Sequence, residues 1–247
     1  MVKSEIELSV VVPAYNEAER IPKTLRRLHE YLGANSFAYE ILVVLDGPID
    51  STREVLREML FGIPHLKVID RPVNRGKGFT VKEGMLRAGG RIRLFTDADN
   101  STDIAHFDTM KPFFDDGYDL VIASRSSKDT PDAEQAVPQT GINAGQDGLV
   151  ISLCRFSPYV AFGIRSADSR LFAPKRRNGS SLKLGIEGWA FDLEVLALTR
   201  AFNYKIGIIP AYWVNDARSH VRWFDYLRVL GDTLRVRIRL MARKYDL

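Results

Sequence analysis

The chain has almost no cysteine: Cys154 is the only one in 247 residues. An internal disulfide is therefore excluded, as is a metal centre built from thiolates, and nothing points to an oxidising compartment. Long apolar runs are missing as well. A membrane-spanning helix needs roughly 18–20 uninterrupted apolar residues. The nearest stretch, Leu149–Ile164 (LVISLCRFSPYVAFGI), is interrupted by Arg155 and Pro158. The N-terminus runs into a strand-like segment without the charged and then apolar pattern of a secretory signal. The expectation is a cytoplasmic protein, peripheral at most on the cytoplasmic face of a membrane. Charge of one sign is scarce too. Thirty-five basic against 31 acidic residues leave a net charge of +4, too mild an excess to name a partner. So mild a basic excess does not call for nucleic acid as a partner, and none is expected.

What is present suits one large α/β domain. Apolar residues make up 45% of the chain and charged residues 27%, enough for a sizeable core. Short apolar runs alternate with amphipathic segments. Strands are expected at Leu8–Val12, Ile41–Leu45, Leu66–Ile69, Ile92–Thr96, Leu120–Ala123 and Ile206–Ile209. Helices are expected at Glu17–Leu32, after a capping Asp50, at Gly78–Ala88, from near Asp103, and across Gly188–Phe202. Near-continuous apolar strands separated by amphipathic helices imply a mostly parallel sheet covered on both faces. Residues 126–148, rich in Asp, Gln, Gly, Pro and Ser, read as a mobile loop or lid. The last segment, 216–247, reads as a basic amphipathic helix. Trp223, Leu227, Leu230, Leu234, Ile238 and Met241 form one face, and Asp225, Arg228, Asp232, Arg235, Arg239 and Arg243 the other. That helix either lies on a membrane surface or packs on its own domain or a second subunit.

In parallel sheets ligands collect at the carboxyl ends of the strands. The sequences at those ends are PAYNE, DGPIDST, NRGKG, DADNST and SRSSKD. Asp97 and Asp99, two apart after a strand, can converge on one Mg²⁺ or Mn²⁺ that also takes diphosphate oxygens. They can equally be turn or capping carboxylates before the next helix. In NRGKG, Gly76 and Gly78 permit close backbone approach and Lys77 offers a point charge to a phosphate. A plain glycine-rich turn accounts for the same residues. It is not a Walker loop, because Arg71 and Gly78 stand where that motif needs Gly and Ser or Thr. Tyr15 can pack beside a base or ribose, while Glu17 favours a helix N-terminus. Asp46 can accept from a nucleobase or organise the turn at Gly47–Pro48.

Taken together and in this order, VVVPAYNE, Asp46-Gly47, NRGKG, DAD and the later WAFDLEVL (Trp189–Leu196) resemble the family 2 glycosyltransferases of GT-A fold. Within that family the pattern is most similar to the polyprenyl-phosphate sugar transferases, the dolichyl-phosphate β-glucosyltransferase branch first. The resemblance implies a GT-A catalytic domain over 1–215. Its nucleotide pocket would be lined by Pro13, Ala14, Tyr15, Glu17, Asp46, Lys77, Asp97 and Ala98, with Asp99 and Asp97 on the metal. Arg125 matches a position associated with acceptor or phosphate binding, and Asp192 and Glu194 match an acidic pair on the helix after the lid. Two departures stand out. Leu45 replaces the first acid of the family's D-D-G-S turn, and Asp168-Ser169-Arg170-Leu171-Phe172 is a shortened form of a later signature.

The implied reaction is an inverting, metal-dependent transfer of a sugar, glucose from UDP-glucose, to a dolichyl or undecaprenyl phosphate. Such a phosphate, with second pKa about 6, needs little help from a base. Cations that hold it matter more, and Arg125, Arg165 and Arg170 are the candidates. A sugar-hydroxyl acceptor would instead need a carboxylate base, Asp192 or Glu194. The alternatives are a GDP-mannose-dependent transferase, a family member acting on a sugar hydroxyl, and a nucleotide-sugar-binding protein without catalysis. A nucleotidyltransferase would carry a glycine-rich phosphate loop where PAYNE stands.

Overall fold

The structure is a computed structural model that describes residues 5–124, 135–136, 159–165, 185, 187–188, 190–214 and 223–242. The chain alternates β1 (Leu8–Ala14), α1 (Ile21–Gly33), β2 (Tyr39–Asp46), α2 (Thr52–Met59), β3 (Leu66–Arg71), α3 (Lys77–Arg87) and β4 (Ile92–Phe95). It continues through α4 (His106–Asp115), β5 (Leu120–Ser124), β6 (Gln135–Ala136), β7 (Tyr159–Arg165) and α5 (Phe191–Ala201). The last elements are β8 (Ile206–Pro210), β9 (Trp213–Val214) and α6 (Trp223–Met241).

Seven strands form one sheet in the order β3-β2-β1-β4-β7-β5-β8. All run parallel except β7, which is antiparallel to both β4 and β5. The two-residue strands β6 and β9 pair in parallel to one side. Period-2 alternation divides the strand side chains between two cores. Val10, Val12, Ile41, Val43 and Leu45 pack with α1, α2 and α4, while Val11, Leu42 and Val44 pack with α3 and α5. Helix α3 lies close on the sheet because Gly84 has no side chain. A Cβ there would stand 2.3 Å from a Val11 methyl.

Strand β7 was not among the expected strands. It begins inside the interrupted apolar run of Leu149–Ile164 and ends one residue past it. Its Gly163 is a weak strand former, required because a Cβ would come within 2.9 Å of the Phe114 ring. The expected mostly parallel α/β sheet holds, with one antiparallel strand set into it. Most of the expected lid at 126–148 lies outside the described residues.

The strand order places the site. The chain winds outward from β1 to β2 and β3, then returns to lay β4 on the other side of β1. That reversal opens a crevice at the carboxyl ends of β1 and β4. PAYNE and DADNST, 80 residues apart, become neighbours across it.

Candidate active site

Beyond β4 the chain turns at once. The Ala98 carbonyl accepts a 2.6 Å hydrogen bond from Thr24 Oγ1 on α1, which pins the turn against that helix. Asp99 Oδ1 accepts from the Ser101 amide at 2.9 Å, and Asn100 takes a positive φ of 57°. The turn-organising role is therefore real for Asp99. It also leaves the carboxylate at the crevice, where its charge and that of Asp97 act on Glu17.

Lys77 begins α3 and reaches across to Asp97, with Nζ 2.6 Å from Oδ1. The loop that delivers it is fixed from below. Asp46, at the end of β2 and 3% exposed, accepts from Arg71 Nη2 at 2.5 Å and from the Arg75 and Gly76 amides at 2.7 and 2.9 Å. Through these three donors it organises NRGKG. Arg71 is itself held by the Leu45 carbonyl, Thr80 and Glu83.

The loop is also fixed from above. The Gly78 and Phe79 amides, free donors at the start of a helix, bond to the carbonyls of Gly188 and Glu187 at 3.2 Å. Arg75 meets Glu187 at 2.8 Å and covers the Phe79 ring at 3.6 Å from its centroid. Gly76 has a φ of 94°, and a Cβ there would lie 2.5 Å from the Glu187 carbonyl oxygen. The segment before α5 thus closes over NRGKG. Glu187 carried no sequence signal, because its partner lies more than a hundred residues away.

That closure brings Asp192 to the same place. It is 8% exposed in the first turn of α5, and its Oδ1 accepts from the Leu193 amide at 2.8 Å. Burial pushes its carboxyl up to about 7. The Leu193 amide and Lys77 oppose the shift, and Asp97 adds to it. Burial pushes Glu17 up to about 7 as well, against a two-point Arg20 contact at 2.6 Å and with Asp99 and Asp97 contributing. Asp97 acts on both Glu17 and Asp192, and Asp99 on Glu17, so these carboxyls crowd one another beside Lys77 and Arg20.

A Mg²⁺ or Mn²⁺ ion held by one or two carboxylates and completed by substrate phosphates needs no larger protein cage. Asp97 and Asp99 fit that arrangement. Among the described residues no group of three or more His, Cys, Asp or Glu side chains is placed to hold a metal by itself.

Other expected site residues divide. Tyr15 is 42% exposed and Pro13 half-buried at the rim. Ala14 and Ala98 turn their methyls into the core, so only their backbone can face a ligand. Glu194 points away from Asp192. It is fully buried, accepts from the Gly185 amide at 2.8 Å, and faces Arg239 of α6 at 3.6 Å. Arg165 is corrected outright: β7 runs antiparallel, so its last residue sits beside Ile92, at the opposite rim of the sheet, paired with Asp119 at 2.5 Å. Arg125 and Arg170 lie outside the described residues.

Known proteins share this architecture. The sequence model of Glycosyl transferase family 2 matches residues 9–171. The dolichyl-phosphate beta-glucosyltransferase of Dictyostelium discoideum is 30% identical over 96% of this chain and 75% of its own length. A mannosyltransferase from Pyrobaculum calidifontis, solved with GDP-Man and Mn²⁺, superposes with a TM-score of 0.63 at 18% identity. That superposition covers 96% of this chain and 65% of the mannosyltransferase. The glucosyl-3-phosphoglycerate synthase of Mycobacterium tuberculosis, solved with Mn²⁺, UDP and glucosyl-3-phosphoglycerate, gives a TM-score of 0.59 at 17% identity. It covers 95% of this chain and 81% of that one.

Proposed function

The chain belongs to glycosyl transferase family 2, and on that premise we propose that it transfers glucose from UDP-glucose to the phosphate of a polyprenyl lipid. The glucosyl donor class and the lipid acceptor follow the relatives, which are named dolichyl-phosphate beta-glucosyltransferases. The single observation that carries the reading on this chain is the Lys77–Asp97 pair at 2.6 Å in the crevice between β1 and β4. In this reading Lys77 is the cation beside the diphosphate and Asp97 a carboxylate that would face the metal, and their contact supports it.

In the reaction, an oxygen of the lipid phosphate attacks the anomeric carbon from the face opposite the nucleotide. The bond from that carbon to the diphosphate breaks, and its electrons leave with UDP. Asp99 and Asp97 would hold Mg²⁺ or Mn²⁺, which would supply neutralising charge to the diphosphate. Lys77 stabilises the charge that grows on the departing oxygens. Asp46 holds NRGKG so that Lys77 needs no rearrangement, and Pro13 and Tyr15 form the wall beside the nucleotide. Arg125 and Arg170 are the candidates for holding the acceptor phosphate. A lipid phosphate that is largely dianionic at neutral pH attacks without a base.

A second reading draws on Asp192. A buried carboxyl pushed up to about 7 is suited to take a proton from a sugar hydroxyl, since a base works best with a pKa near the working pH. The test is a donor screen of UDP-glucose and GDP-mannose with Mg²⁺ or Mn²⁺. A short polyprenyl phosphate and a free sugar serve in turn as acceptors, and both nucleotide release and glycosylated product are followed. Glucosyl lipid from UDP-glucose supports the assignment. Transfer only to the sugar, or only from GDP-mannose, replaces it.

A further inference from the structure

Helix α6 packs on the domain with a different face from the one its apolar pattern suggests. The residues seated on α5 and the core are Val236 and Leu240. Arg239 faces Glu194 and Asp232 approaches Gly188 on the same side. The described part of the apolar stripe, Leu230, Leu234, Ile238 and Met241, is turned to solvent, from 43% exposed at Leu230 to 76% at Met241. These four stand at i, i+4, i+8 and i+11, one line along the helix. The seated face is a narrow band, and among the described residues none covers the apolar ridge beside it.

Among the described side chains of α6, the exposed charges beside that ridge are all of one sign. Arg235, with a side chain 70% exposed, and Arg237 flank it on either side. Asp232 is the only acid among the described side chains of α6. It is turned inward, 13% exposed, with Arg235 Nη1 at 2.9 Å. The outward half of this stretch therefore presents apolar side chains and guanidinium groups with no exposed carboxylate. An amphipathic helix of that kind inserts its apolar side at the headgroup boundary while its arginines meet lipid phosphates. A second copy of the chain would present the same arginines to each other across a two-fold contact, which like charges oppose.

We propose that the Leu230–Leu234–Ile238–Met241 ridge, flanked by Arg235 and Arg237, docks the enzyme on the surface of an anionic phospholipid bilayer. The ridge lies on the helix whose Asp232 approaches Gly188, and the Gly188 carbonyl caps the Gly78 amide next to Lys77. Docking there holds the donor-loop side of the domain close to the bilayer. The inference stands on α6 and does not depend on the identity of the acceptor.

The test is sedimentation of the full chain with vesicles of phosphatidylcholine alone or phosphatidylcholine mixed with phosphatidylglycerol, all free of polyprenyl phosphate. The wild type is expected to sediment with the anionic vesicles, weakly with the neutral ones, and less as salt rises. Leu234→Glu with Ile238→Glu should weaken anionic-vesicle binding by about tenfold or more. Arg235→Gln with Arg237→Gln should weaken it less and flatten the salt dependence. All four positions face solvent, so circular dichroism and melting should match the wild type. No wild-type binding, or equal binding by the Glu variant, overturns the proposal. A concentration-dependent dimer in the absence of lipid, lost in the Glu variant, also overturns it by assigning the ridge to a second copy.

Discussion

Lys77 and Asp97 come from opposite sides of strand β1, one opening α3 and the other following β4, and meet with Nζ 2.6 Å from Oδ1. Replacing Lys77 by Met removes the cation from the diphosphate position and the charge that holds Asp192 down. Transfer should fall about 10²–10³-fold in kcat. Steady-state kinetics, together with the donor Kd from calorimetry, will separate loss of rate from loss of binding. A change of less than about threefold would remove Lys77 from the mechanism.

Asp99→Ala should abolish transfer and the metal response while keeping the fold. The lost turn hydrogen bond to Ser101 costs only about 1 kcal/mol. Manganese titration followed by electron spin resonance in the presence of UDP, beside a melting curve, measures both halves. Full activity in this variant would sink the metal assignment.

Glu17 and Asp192 make stability depend on pH in a definite direction. Their folded carboxyls lie at about 7, above the values of 4.5 and 3.8 that they start from. The folded state therefore holds more protons than the unfolded state between those values and 7. Stability from these groups is full below about pH 4 and declines as pH rises towards 7. A divalent cation offsets the crowding of carboxylates, so the rise in Tm on adding Mn²⁺ should be larger at pH 8 than at pH 5.5. Thermal melting with and without Mn²⁺ at the two pH values checks this, and an equal or reversed difference counts against it.

Asp192→Asn distinguishes the two acceptor readings. The amide cannot ionise, so the variant should melt higher than the wild type above pH 7 and no higher at pH 5. If the acceptor is a lipid phosphate, kcat should stay within about tenfold. If it is a sugar hydroxyl, the missing base should cost about 10²–10⁴-fold.

Asp46→Ala removes the acceptor shared by Arg71 and the Arg75 and Gly76 amides, and leaves those donors buried. A loss of about 3 kcal/mol is expected, with faster hydrogen exchange confined to NRGKG and the start of α3. Unchanged exchange there would show that the cap from Glu187 and Gly188 alone suffices.

Much of the sheet could be read directly. Apolar runs fixed six parallel strands because a strand buried on both faces has few polar residues. The strand ends then pointed to Tyr15, Asp97, Asp99 and Lys77. The roles of Asp46 and Glu187 were hidden, since both act through backbone groups of NRGKG, and an amide donor leaves no trace in residue type. Arg165 misled for a related reason: an arginine is a plausible phosphate ligand in any sequence, and only strand direction says which rim it occupies.

The sequence by itself determined the alternation of elements, the two-sided burial of the sheet and the residue types at its carboxyl edge, because these depend on local periodicity and chemistry. Tertiary structure alone decided that β4 returns beside β1, that β7 runs backwards, and that Asp192 joins Asp97 while Glu194 turns to Arg239. It alone also decided which face of α6 is covered. Those outcomes rest on contacts between distant segments, where the burial and hydrogen bonding of one segment are set by another that no local pattern encodes.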